Sequence, residues 1–179
     1  MKIGNYNIIK KIGKGGFGEV YIAEKDDTNF ALKECSKSDE ESIHRFNREV
    51  RLMESVKSEN VIEVLDYDFK NTPPFFVMPL CQGALSTKDY NSNVEMLIND
   101  VLEALHNHPQ RIVHRDINPN NILIDNDKLK LSDLGLGKFE ERDSTILTPS
   151  SIMMGTEGFA PPEFYKIGGT KNATISSDI

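Results

Sequence analysis

A chain of 179 residues with 38% hydrophobic and 27% charged positions is long enough to bury one substantial core, and its composition is that of a soluble globular protein. A formal net charge of -7 argues against a nucleic-acid-binding surface, which is normally basic, and no apolar run approaches a membrane span. Residues Met1 to Tyr6 lack the apolar core of a signal peptide, and Cys35 and Cys81 have no metal-ligand spacing, so both read as reduced thiols of a cytoplasmic protein.

The first eighty residues have a β pattern. Tyr6 to Ile12 and Glu19 to Ala23 read as strands around a glycine-rich turn. Asp26 to Asn29 reads as a second turn and Phe30 to Glu34 as a third strand. Ser38 opens a charged stretch with helical spacing, in which Ile43, Phe46, Val50 and Met53 fall on one face beside Glu49. Val61 to Tyr67 and Phe75 to Leu80 complete a set of five strands. A hinge at Gln82-Gly83 divides this β-rich part, residues 1–81, from a mainly helical remainder, residues 82–179. In the remainder, Leu97, Ile98, Val101, Leu102 and Leu105 make one stripe of a helix from Val94 to His106. Asp125-Asn126-Asp127 between two short apolar runs signals a hairpin. Phe139 to Ser151 is polar, has no periodicity and reads as a mobile loop.

Several segments carry chemistry. Gly13, Gly15 and Gly18 form G-x-G-x-x-G, whose glycines let backbone N–H groups approach a phosphate. Here Glu19-Val20-Tyr21-Ile22 follows, so the turn joins two strands, whereas a dinucleotide-binding turn leads into a helix. Lys33, on a packed strand, needs an acidic partner, and Glu49 beside the apolar stripe is the best placed. Asp116 lies five residues before Asn121, and Asp133 seventeen residues after Asp116. That set offers one carboxylate for a hydroxyl proton and two oxygen ligands for a divalent metal.

The runs His114-Arg115-Asp116-Ile117-Asn118-Pro119-Asn120-Asn121 and Asp133-Leu134-Gly135 resemble the catalytic loop and metal turn of eukaryotic-type protein kinases. Ile12 to Val20 with Ala31-Leu32-Lys33 resembles their phosphate flap and anchoring lysine, and Gly155 to Glu163 resembles their peptide-binding segment. The resemblance implies an α+β, bilobal fold with a five-stranded antiparallel N-lobe and one helix, and a C-lobe cut short. It implies a serine/threonine kinase acting on protein hydroxyls with ATP and magnesium, or manganese in its place. Nucleotide-binding roles then fall to Ile12, Gly13, Lys14, Gly15, Gly16, Phe17, Gly18, Val20, Ala31, Lys33, Glu49, Met78, Pro79, Cys81 and Leu123. Asn121 and Asp133 are the implied metal ligands, and Asp116 and Asn118 the catalytic pair. Regulatory roles fall to Arg115, Ser150, Ser151 and Thr156, with Thr148 as a further phosphosite. His114 is assigned to packing, and Met53, Val64, Leu134 and His114 to a stack across the lobes.

Three positions depart from the family pattern, one being Pro161, where members usually carry alanine. Asn118 stands where active members usually carry a lysine facing the transferring phosphate, and Leu134 where they carry phenylalanine. Asn118 and the missing later helices keep one alternative open, an ATP-binding pseudokinase or interaction module; the H-x-D-x-x-x-x-N loop, shared with small-molecule phosphotransferases that normally lack a Gly155 to Glu163 segment, leaves those as a more distant rival.

Overall fold

The structure is a computed structural model and describes residues 1–15, 18–56, 58–86, 88, 92–134, 138–139, 156, 158–165 and 173–178. Gly16, Phe17, Gly135, Thr148, Ser150, Ser151, Gly155 and Glu157, and the stretch 140–151 expected to be a loop, lie outside the described residues.

Six strands form one antiparallel sheet: β1 (Lys2–Ile3), β2 (Tyr6–Lys14), β3 (Gly18–Lys25), β4 (Thr28–Cys35), β5 (Asp66–Asp68) and β6 (Phe75–Pro79), in the order β1-β2-β3-β4-β6-β5. The sheet thus has one strand more than the five expected, because Lys2 and Ile3 pair with Asn7 and Tyr6. The turn expected at Asp26 to Asn29 is shorter. Lys25 pairs with Thr28, and only Asp26 and Asp27 turn, both at positive φ (50° and 59°). Two such residues make the tight hairpin whose twist matches the strands, and aspartate tolerates that conformation.

Strand alternation gives the sheet two apolar faces. Tyr6, Tyr21, Ala23, Leu32, Phe75 and Val77 form a small core on one side. Ala31, Phe76 and Met78 face the other side and join the main core with helix α1 (Glu40–Ser55). Asp39 caps that helix by accepting the Ser42 N–H at 2.9 Å, and Glu40 and Glu41 in its first turn suit the positive end of its dipole. Phe46, Val50, Leu52 and Met53 bury its apolar stripe.

Val61 to Leu65 does not continue as a strand. Its backbone is drawn to the other part of the chain: Ile62 N–H donates to Leu131 O (2.9 Å) and Leu131 N–H to Asn60 O (2.7 Å). At the far end of this stretch Leu65 N–H reaches Val77 O of β6 at 2.8 Å, and the paired strand itself is Asp66–Asp68.

Beyond residue 81, β7 (Gly83–Ala84) pairs with β9 (Ile122–Asp125), which forms a hairpin with β10 (Lys128–Leu131). Asn126 and Asp127 make its turn at positive φ, as their residue types favour. Strands β8 (Ile112–Val113) and β11 (Lys138–Phe139) form a separate pair. Among the described residues this part has one α-helix, α2 (Ser92–His106), so it is less helical than its spacing suggested. Short 3-10 turns at Pro119–Asn121, Pro162–Tyr165 and Ile175–Asp178 take the remaining helical geometry. Val94, Leu97, Val101 and Leu105 of α2 join Ile122, Leu131, Leu134, Met53 and Phe46 in one core cluster, with Val64 packed against it. Both parts therefore share a core, and the catalytic-type loop and the metal turn lie at its edge.

Candidate active site

Between the six-stranded sheet and the β9–β10 hairpin lies a cleft of about 510 Å³. Small-ligand sites run roughly from 300 to 1,000 Å³. Of the predicted residues, Ile12, Gly13, Gly15, Gly18, Val20, Ala31, Lys33, Glu49, Met78, Pro79, Cys81, Leu123, Asn121 and Asp133 all line it. Lys14 does not: its side chain is exposed and its ammonium lies 3.6 Å from Glu19. Alternation along β2 turns it away from its glycine neighbours. Asn120 and Ser132 also line the cleft and were not foreseen. Both are small polar residues beside predicted ligands, and nothing in the sequence pattern separates them from turn residues.

Strand β4 carries Lys33 into the cleft, where its ammonium donates to Glu49 Oε1 at 2.6 Å and to Asp133 Oδ1 at 3.3 Å. Three distant segments thus converge on one amine. Burial lowers the pKa of Lys33, but the flanking Glu49 and Asp133 carboxylates outweigh it, so the ammonium is held. Burial pushes the Glu49 carboxyl up to about 7 against the pull of Lys33, and the charge of Asp133 adds to the rise. The contribution of Glu49 to stability is therefore full below its ordinary value of 4.5 and declines as pH rises toward about 7. The ion pair behaves oppositely, since it gains its second charge only as Glu49 ionises. ADP affinity should accordingly fall about tenfold from pH 8 to pH 6, the lower end of what one charge-assisted hydrogen bond contributes. Glu49→Gln should flatten that component, and titrations giving both proteins the same pH profile would count against it.

The glycine-rich turn is closed by Gly15 N–H donating to Gly18 O at 2.8 Å. A Cβ on Gly18 would meet Glu34 O at 2.6 Å and the Lys33 stem at 3.2 Å. Gly18→Ala must push β3 away from β4 beside the anchoring lysine. We expect a stability loss of about 1–3 kcal/mol and weaker nucleotide binding, both read from thermal unfolding with and without ADP.

Asp116 is fixed from several sides. Its Oδ1 accepts the Thr156 N–H (2.9 Å) and the Thr156 hydroxyl (2.8 Å). Its Oδ2 accepts Asn121 Nδ2 at 3.1 Å, and its carbonyl accepts both Asn121 Nδ2 (2.8 Å) and Asn118 Nδ2 (3.1 Å). Asn118 is only 3% exposed and does not line the cleft. His114 is fully buried: Nδ1 accepts the Asp116 N–H at 3.2 Å, and Nε2 lies 3.2 Å from Ser132 O. A neutral ring carrying its proton on Nε2 satisfies both contacts, which agrees with a packing role.

Arg115 has φ 68°, and Asp133 φ 61°. Left-handed backbone at non-glycine residues marks sites that the surroundings over-determine. For Arg115 the restraint is Asp178, which the resemblance implies as part of a serine-aspartate pair opening a helix, not as a partner of this loop. Its buried carboxylate accepts the Arg115 N–H through Oδ1 and the His114 N–H through Oδ2, both at 2.8 Å, and contacts His106 Nε2 at 3.1 Å. Arg115 itself is buried.

The residues present fit both groups that the sequence implies. Asn121 commits Nδ2 to Asp116, which leaves its Oδ1 without a protein partner among the described residues. With Asp133 this gives an oxygen-only donor set, suited to a hard cation such as magnesium. The Lys33 ammonium lines the same cleft and is a donor for phosphate oxygens. Val20, Ala31 and Leu123 supply apolar surface on opposite sides for a planar ring.

Residues 6–179 match the family described as protein kinase domain. A probable serine/threonine-protein kinase of Dictyostelium discoideum is 35% identical over 93% of this chain and 40% of its own length. Serine/threonine-protein kinase PrkC of Bacillus subtilis is 32% identical over 98% of this chain and 28% of its own. A probable serine/threonine-protein kinase PknB of Lactococcus lactis is 30% identical over 97% of this chain and 29% of its own. The chain thus spans less than half the length of these curated relatives. No helix among the described residues is long and apolar enough to cross a membrane.

Proposed function

The chain belongs to the protein kinase domain family, and from that premise we propose that it transfers the γ-phosphate of ATP to serine or threonine hydroxyls of protein substrates. The observation that carries this is the convergence of Lys33, Glu49 and Asp133 in one cleft, with Asn121 linking that cleft to the Asp116 carboxylate.

In this reading Val20, Ala31 and Leu123 hold the adenine ring, and the backbone of Pro79 and Cys81 addresses its edge. Lys33, kept charged and aimed by Glu49, binds phosphate oxygens. Asn121 and Asp133 hold magnesium, or manganese, which when bound neutralises phosphate charge and orients the leaving group. Asp116 accepts the proton of the acceptor hydroxyl as its oxygen bonds to the γ-phosphorus. The bond from that phosphorus to the β–γ bridging oxygen breaks, and ADP leaves. Thr156 at the catalytic carboxylate supports serine or threonine as acceptor. Two free thiols support a cytoplasmic setting.

The test is transfer of labelled γ-phosphate to a generic protein substrate, with small hydroxyl compounds as parallel acceptors and Asp116→Ala as control. Asn118 favours one alternative, an ATP-binding module without turnover, because that position brings no cation to the phosphate. ATP binding by the wild-type chain with no labelled protein would establish it.

A further inference from the structure

We infer that Asn118 is a positioning residue, which ties the Asp116 carboxylate to Thr156 and does not touch the phosphate. The inference rests on the kinase reading above.

A side-chain amide has two N–H donors and one acceptor oxygen. In Asn118 all three functions are used. Nδ2 donates to Asp116 O and to Thr156 Oγ1, each at 3.1 Å, and Oδ1 accepts the Asn120 N–H at 3.0 Å. The last contact caps the 3-10 turn that carries Asn121. To reach a phosphate in the cleft, the amide would have to leave this buried site and break all three bonds.

The contact with Thr156 has a direction. Because Thr156 Oγ1 accepts from Asn118, its single proton points to Asp116 Oδ1, 2.8 Å away. The Thr156 N–H fills the same oxygen at 2.9 Å. Oδ1 is thereby occupied by two donors, whereas Oδ2 receives Asn121 Nδ2 alone among the described residues. Oδ2 is the oxygen left to take the acceptor proton, and Asn118 selects it through Thr156. A neutral amide thus sets the orientation of the carboxylate, and the catalytic loop brings no cation of its own at this position.

Asn118→Ser separates the two roles. A serine hydroxyl still accepts the Asn120 N–H as a short cap, but cannot span to Thr156. Steady-state kinetics should show kcat lowered about 10- to 100-fold, the scale of a misplaced catalytic group, with KM for ATP changed by less than about twofold. Thr156→Val should give a similar fall, and the double variant little more than either single one. Losses that multiply, or a raised KM for ATP with kcat retained, overturn the inference. If Asn118→Ser does not fold, Thr156→Val carries the test, and wild-type kcat in that variant overturns it. Absence of phosphate transfer by the wild-type chain would refute the kinase reading. The strut is then read without turnover, from hydrogen exchange of the Thr156 amide. Its protection should drop at least tenfold in Asn118→Ser, and unchanged protection overturns the inference.

Discussion

Asp116→Ala should slow phosphate transfer about 100- to 10,000-fold, the span expected when a positioned base is removed. ATP should still raise the melting temperature of the variant, because the cleft walls and Lys33 are untouched. The loss therefore belongs in kcat. The physical reason is the number of groups arranged around this one carboxylate. Thr156 and Asn121 donate to its two oxygens, and Asn118 and Asn121 hold its backbone carbonyl. Alanine removes the proton acceptor while those groups keep partners in solvent or in each other. A variant with wild-type kcat would remove Asp116 from the chemistry.

The second large effect is expected at Asp178→Ala. The wild-type carboxylate is the acceptor for two adjacent backbone amides, at His114 and Arg115. Alanine leaves both without a partner in a buried setting. Each orphaned donor costs about 1–3 kcal/mol, so the pair should cost about 2–6 kcal/mol, measured by urea unfolding. Arg115 would also lose the restraint on its left-handed backbone, and Asp116, the next residue, would lose its aim. Activity should fall further than the unfolded fraction accounts for. A variant of unchanged urea midpoint would show that the two amides find other acceptors.

The elements most legible in the sequence were those with local causes. The α1 stripe, the α2 stripe and the β9–β10 hairpin each follow from periodicity or turn chemistry within a dozen residues or so. The Lys33–Glu49 contact is legible because a packed lysine requires a carboxylate and Glu49 lies beside the core-facing stripe. Long-range hydrogen bonding was not legible. Val61 to Leu65 has a strand pattern, yet its first residues are taken by Asn60–Leu131 and Ile62–Leu131 contacts across seventy residues. The contacts of Asp178 are not legible, since its partners lie sixty-odd positions earlier and are backbone groups without sequence identity. The direction of Lys14 is not legible, because membership of a glycine-rich turn does not say which way a side chain points. Asn118 was legible as a departure, but not as a residue with every hydrogen-bonding group engaged.

The contacts made by residues 60–62 bear on how α1 can move. They tether the chain just beyond the C-terminal end of the helix to β10, while its opposite end carries an exposed cap. Any rotation of the helix then has its fulcrum near Val56. Glu49 sits seven residues from that point, a lever arm of about 10 Å at the helical rise per residue. Rotation by about 20° would carry its carboxylate roughly 3 to 4 Å on that geometry, more than the 2.6 Å separating it from the Lys33 ammonium. A modest tilt at one end of a single helix is therefore enough to uncouple the anchoring lysine.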